Sequence, residues 1–240
     1  MKLPVELCIY ALQNKLLKPF RLYILLLSAT QGNIAITEKD MEAIALALNY
    51  KSQKSINNNL KKLISLGWIG HDKKRKKYWI RGLDELRKRL KLKKRRSVDF
   101  TIEYLDNFDA FCFAAAIGKE WKYQKWRGIS AWDLRGQAYP NLLRPSDYLP
   151  IAGNDLVKIL KISKSSVSRY KKHAQGAGYI DIKSSNRTVK IRPDELRSFK
   201  SHDNETYGKM YVVGDTVVEP GIDKIKPLLT YSRRKKVKPY

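Results

Sequence analysis

Two short segments carry side chains whose types and spacing suit hydrogen bonding to flat, nitrogen-rich rings. Gln53, Lys54, Asn57, Asn58 and Lys61 recur at three- and four-residue intervals, so a helix would gather them on one face. Lys164, Ser165, Ser168, Arg169 and Lys172 repeat the same spacing 111 residues later. Gln and Asn amides form paired hydrogen bonds with adenine, and an Arg guanidinium does so with guanine, so Gln53, Asn57 and Asn58 are candidate adenine readers and Arg169 a candidate guanine contact. Ser168 projects from the same early turns. A third cluster, Lys73, Lys74, Arg75, Lys76 and Lys77, is too uniform to distinguish bases but suits attraction to phosphates. Arg187 is the one obvious cation at the corresponding later point.

The composition agrees with a polyanionic partner. The chain has 240 residues, with 49 Lys and Arg against 23 Asp and Glu, a formal charge of +26. A compact state of that charge repels itself unless something polyanionic neutralises it. With 43% hydrophobic residues the chain is no disordered basic tail. Residues 51–96 hold 18 basic and 3 acidic residues, and residues 161–200 hold 11 and 3, so both halves are basic and the first more so.

Catalytic patterns are missing. No His-x-His pair accompanies a candidate nucleophilic Tyr, no phosphate loop ending in Gly-Lys-Ser or Gly-Lys-Thr occurs, and Asp84-Glu85 and Asp194-Glu195 are better read as helix N-terminal charges. Cys8, Cys112, His71, His173 and His202 show no zinc spacing. The expectation is a non-enzyme without cofactor or metal. Without a secretory segment or a span of about 20 apolar residues, it is expected in the cytoplasm, nucleoid-associated and off the membrane.

The elements that must position these residues form a faint repeat, Ser52 to Arg81 aligning with Ser163 to Arg192. Thr37 with Asp40 resembles a capping box, and Met41, Ile44, Ala45 and Leu48 form one apolar stripe. After a turn at Asn49 to Ser52, a second helix buries Ile56, Leu60, Leu63 and Ile64 and stops at Gly67. Trp68 and Ile69 open a strand, and Tyr78 to Arg81 returns across the basic loop. The second copy offers Leu156, Ile159 and Leu160, Ser163 as N-cap, Gly178 as stop, a short loop Ser184 to Arg187, and a return strand Thr188 to Arg192. Asp84-Glu85-Leu86-Arg87 and Asp194-Glu195-Leu196-Arg197 follow. Upstream helices are expected at Lys18 to Thr30 and Asp109 to Trp126, with strands at Ile34 to Ile36 and Tyr148 to Ile151. Arg87 to Arg96 is expected to continue as a solvated helix, and Arg127 to Asp147, with Pro140 and Pro145, to be irregular.

Helix, strand, helix, helix, strand, wing, strand, occurring twice, resembles the winged helix-turn-helix family. The stretch Leu160-Lys161-Ile162-Ser163-Lys164-Ser165-Ser166-Val167-Ser168-Arg169 is similar to the turn and recognition helix of many bacterial and phage DNA-binding proteins. Asn57-Asn58-Asn59 departs from the usual small and basic mix. Tandem winged helices in a basic chain also resemble plasmid and phage replication initiators at the level of architecture.

The resemblance implies an α+β, mainly helical fold. It comprises a winged helix at 1–86, a basic linker at 87–106, a second winged helix at 107–200 with an insertion at 127–147, and a C-terminal extension with a basic tail at 201–240. The implied partner is double-stranded DNA, bound sequence-specifically by a bacterial or phage transcriptional regulator. The alternatives are a replication initiator and a non-specific architectural or RNA-binding protein, and 127–147 is the expected contact surface for a replication or transcription protein. The target sequence and oligomeric state stay open.

Overall fold

Local signals for helix ends build much of the molecule. The computed structural model describes residues 1–30, 33–72, 74–75, 77–92, 96–138, 147–202, 210–219 and 221–233. The first half contains β1 (Lys2–Pro4), α1 (Val5–Gln13), α2 (Leu17–Ala29), β2 (Asn33–Ile34), α3 (Glu38–Ala47), α4 (Gln53–Ser65), β3 (Ile69–Asp72), β4 (Lys77–Ile80) and α5 (Leu83–Arg89). The second half begins with β5 (Arg96–Asp99), a 3-10 turn (Ile102–Leu105), α6 (Phe108–Ala138), β6 (Leu149–Pro150), α7 (Gly153–Leu160), α8 (Lys164–Gly176) and β7 (Ile180–Lys183). It ends with β8 (Arg187–Val189), α9 (Leu196–His202), β9 (Tyr211–Val213), β10 (Thr216–Glu219), β11 (Lys224–Pro227) and β12 (Tyr231–Arg233). The expected mixture of helix and sheet is present. No helix among the described residues is long and apolar enough to cross a membrane.

The capping box forms at α3, where Asp40 N–H donates to Thr37 Oγ1 at 3.3 Å and Thr37 N–H donates to Asp40 Oδ2 at 2.8 Å. Gly67 and Gly178 take φ of +66° and +70° and close α4 and α8 alike. Trp68 N–H reaches Leu63 O and Tyr179 N–H reaches Ala174 O, both at 2.9 Å, satisfying carbonyls that the helix leaves bare.

Each closure drops the next side chain into the core, so Trp68 and Tyr179 are both buried. An aromatic chain links these equivalent positions. Trp68 meets Phe20 edge-on at 5.6 Å, Phe20 meets Phe108 at 5.3 Å, Phe108 meets Phe111 at 6.3 Å, and Phe111 meets Tyr179 at 6.1 Å. One cluster of buried residues runs from Leu3 to Leu229 through both halves. Early, middle and late segments also share a sheet of order β1-β5-β12, in which Leu3 and Tyr231 both pair with Val98. Tyr231 Oη donates to Ala114 O at 2.9 Å and lies so close to Gly118 that a Cβ there would overlap it.

Four expectations need correction. The solvated helix expected over Arg87 to Arg96 stops at Arg89, because Lys91 turns left-handed (φ +53°) and Leu92 N–H closes onto Arg87 O at 2.9 Å. Arg96–Asp99 is then the central strand of the β1-β5-β12 sheet. The irregular segment expected from Arg127 is helical as far as Ala138; proline, which removes a backbone donor, first occurs in it at Pro140. Residues 139–146 lie outside those described, as does the basic tail from residue 234. Ile159 is 38% exposed, since Leu156 and Leu160, four apart, define the buried stripe of α7.

The fourth concerns the second ribbon. β7 does not pair with the Thr188 to Arg192 segment; it pairs with β11, in a sheet of order β6-β11-β7 that matches β2-β4-β3 of the first half. β8 pairs with β10 instead, placing Val189 opposite Val217 on a small separate core with Leu196 and Met210. Ser185 Oγ donates to Ile222 O between the two pairings. β7 and the following β8 thus pair with β11 and β10 of the return, and the register shifts by one residue between the two pairings. The expected short second wing is a long ribbon.

Candidate nucleic-acid interface

α4 and α8 are the elements that carry the two spaced sets of side chains. Each is 13 residues long, and neither contains an Asp or Glu. α5 and α7, by contrast, have acidic first turns, at Asp84 and Glu85 and at Asp155. Acidic residues near a helix N-terminus normally stabilise it through the helix dipole, so their omission leaves positive ends available to an anion. Inward faces hold the helices in place: Ile56, Leu60 and Leu63 are buried on α4, and Val167 and Ala174 on α8. Tyr170 packs half-buried against Phe113, with ring centres 5.8 Å apart.

Outward, Gln53, Lys54, Asn57, Asn58 and Lys61 are all exposed on α4, and Lys164, Ser165, Ser168, Arg169 and Lys172 on α8. Each group therefore lies on one solvent-facing helix surface, as the spacing predicts. Asn59 differs from its neighbours. It is half-buried, and its Nδ2 donates to Tyr50 Oη at 3.1 Å while Tyr50 Oη donates to Lys18 O at 3.2 Å, tying the α3–α4 turn to α2. The N-terminal end of α8 is dressed with hydroxyls: Ser163 Oγ accepts from Ser166 N–H at 3.2 Å and lies 2.9 Å from Ser165 Oγ. Ser52, before α4, caps no backbone group with its side chain.

The first ribbon brings cations to the same surface type. Asp72 Oδ1 accepts from Lys74 N–H at 2.9 Å and from Arg75 N–H at 3.2 Å, so the acidic residue of the loop is engaged in making the turn. Lys74, Arg75 and Lys77 are exposed; Lys73 and Lys76 lie outside the described residues. On the second ribbon Arg187 is exposed but faces Glu219 at 3.5 Å, which offsets its charge locally.

Trp79 on β4 is 41% exposed and lies against Gly70 on β3, where a Cβ would fall within its ring. Its neighbours His71 and Tyr78 stack at 4.4 Å across the ribbon. These rings add an aromatic surface beside the basic loop; alternation along Tyr78-Trp79-Ile80 is the sequence signal that one of two adjacent aromatics must face out.

Arg169, the sixth residue of α8, holds its guanidinium 5.1 Å from the centre of the Tyr170 ring. No protein-family model, curated protein or solved structure matches the chain.

Proposed function

We propose that the protein binds double-stranded DNA sequence-specifically through two helix-turn-helix units with basic ribbons as wings, and that it regulates transcription. The observation that carries this is the matched pair α4 and α8: two acid-free helices whose outward faces present amides, hydroxyls and cations. A helix fits the major groove, where early side chains reach base edges and flanking cations hold phosphates. The aromatic chain from Trp68 to Tyr179 joins the units through one core, which favours a fixed spacing between the half-sites.

Selection of sites from random duplex DNA tests this. The expected outcome is a two-part motif, with elements about 10 to 10.5 base pairs apart when both units lie on one face of the duplex. No enrichment, or one short element per chain, would overturn it.

A second reading, replication initiation, is favoured by α6, whose Tyr123 and Trp126 are exposed, Trp126 to 65%. Such aromatic exposure suits a protein partner. Repeated sites in tandem beside the gene would select this reading over a single operator. The segment 127–147, expected to carry that contact, begins where the described side chains of α6 end.

A further inference from the structure

A cleft of about 860 Å³ opens where the first half meets the turn before α8. Lys15, Lys18 and Arg21 line it from the α1–α2 turn and α2, and Lys161 and Arg169 from the α7–α8 turn and α8. Gln13 Nε2 donates to Ile159 O at 2.8 Å and fastens the two turns side by side. These residues are 146 positions apart in sequence.

Lysines occupy both turns in a backbone conformation that favours glycine. Lys15 has φ of +56° and Lys161 of +53°. Glycine would relieve that strain but would remove the side chain. Both side chains line the cleft, whereas Lys91, with φ of +53°, takes the same conformation outside it.

Charge on the walls is unbalanced: five cations face two carboxylates, Asp106 and Asp109. Asp109 is partly engaged, accepting from Ala110 N–H at 2.8 Å and lying 3.8 Å from His173 Nδ1. Arg21 donates through Nη1 to Leu48 O at 2.9 Å, while its buried Nε has no hydrogen-bond partner among the described residues. Ser163 and Ser166 add hydroxyls to the wall. Such walls suit a phosphate ester, whose oxygens accept from several donors at once.

We propose that this cleft holds the phosphodiester backbone of a DNA strand flanking the groove entered by α8, clamped by Lys15 and Lys18 of the first half and by Lys161 and Arg169 of the second. The proposal rests on the duplex-binding reading and deepens it, because it makes the first half a contributor to the second half-site. It also moves Arg169 from guanine contact to phosphate contact. The first helix of a helix-turn-helix crosses the backbone when the second is in the groove, so the turn between α7 and α8, which lines this cleft, lies beside a strand.

The test uses the full chain and a labelled mixed-sequence duplex, with affinity measured by anisotropy across about 50 to 200 mM salt. Replacing Lys15, Lys18 and Lys161 together by Gln should lower the magnitude of the log-log salt slope by about 2.7, at about 0.9 per phosphate contact. Replacing Lys2 and Lys39 by Gln removes charge outside the cleft, the two helix faces and the ribbons, and should change the slope far less than replacing Lys15 and Lys18. Lys18→Gln alone, at an exposed helix position, should lower it by about 0.9 and covers any folding defect of the triple variant. A slope in Lys18→Gln and the triple variant equal to that of the wild type would overturn the proposal. Saturable binding of pyrophosphate to the wild type, lost in Lys18→Gln while the duplex slope stays unchanged, would assign the cleft to a free phosphate compound and overturn it too. Failure of the wild type to bind duplex in a salt-dependent way would instead refute the duplex reading itself.

Discussion

The two ribbons reach the same pairing over very different lengths of chain. Four residues separate β3 from β4, whereas 40 separate β7 from β11. Yet Ile69 faces Ile80 as Ile180 faces Pro227, and Asp72 faces Lys77 as Lys183 faces Lys224. The next bond agrees as well: Arg81 N–H donates to Trp68 O at 3.2 Å and Leu228 N–H to Tyr179 O at 2.9 Å. Loop-closure entropy grows only with the logarithm of length, so a tenfold longer connection costs roughly 2 kcal/mol more. Burial of Ile225 and the Lys171–Asp223 ion pair at the start of β11 act against that cost. A repeat can therefore keep its sheet while its sequence period fails after the third element.

The largest expected effect breaks the distant closure. Ile225→Ala should lower the stability measured by urea unfolding by about 2 to 5 kcal/mol, the usual range for a fully buried aliphatic side chain. Its first-half counterpart Tyr78 is only half-buried, and Tyr78→Ala should cost about 1 kcal/mol. A cost at Ile225 no larger than that at Tyr78 would mean that the distant closure does not depend on the burial of Ile225.

The two outward helix faces differ in chemistry, and that difference can be sharpened by site selection. Asn57→Ala or Asn58→Ala should relax one element of the selected motif by about 1 to 3 kcal/mol for each bidentate pair of hydrogen bonds removed. Ser168→Ala should relax the other element by less, because a hydroxyl makes a single bond. Relaxation of both elements by one substitution would show that the helices do not read separate half-sites.

The wings should differ in the number of cations they present: Arg75 faces Asp72 at 3.9 Å, but Lys74 and Lys77 are exposed beside it. Replacing Lys74, Arg75 and Lys77 by Gln should lower the salt slope by about 0.9 for each phosphate no longer neutralised, with base preference unchanged. Arg187→Gln should lower it less, since Glu219 already faces Arg187. A larger effect at Arg187 would reverse the ranking of the two ribbons.

Sequence legibility followed how local each signal was. Thr37 and Asp40, Ser163, Gly67 and Gly178 act within five residues of themselves, and the helix ends they imply are present. The exposed faces of α4 and α8 are legible for the same reason. The partner of β7 is not, because Thr188-Val189-Lys190-Ile191 has the β-type composition that the repeat demands at that point, and the matching Asp-Glu-Leu-Arg tetrapeptides point to the same wrong strand. Only the alternation Lys224-Ile225-Lys226, far along the chain, signals the true one. The cleft is illegible for a further reason: its cations come from two turns and the helices that follow them, in parts of the chain far apart in sequence.

The smallest expected effect concerns the helices that precede α4 and α8. At α3 the Asp40 carboxylate accepts from the backbone N–H and the hydroxyl of Thr37, at 2.8 and 2.7 Å, and these bonds hold its pKa below the ordinary 3.8. At α7 the place of Thr37 is taken by Ala152, which has no side chain to pair with Asp155 three residues on. A carboxyl whose folded pKa is depressed contributes stability that is fully present above its unfolded value and lost as pH falls through the folded one. The wild type should therefore lead Asp40→Asn in urea midpoint at pH 7, and the lead should shrink below about pH 4, near the unfolded value for Asp. Ala152→Thr should rebuild the cap in the second unit, stabilise it at neutral pH, and bring the same acid sensitivity with it. A constant difference between wild type and Asp40→Asn from neutral to acid pH would show that the charge of Asp40 plays no part in the cap, and that the two units differ there in composition alone.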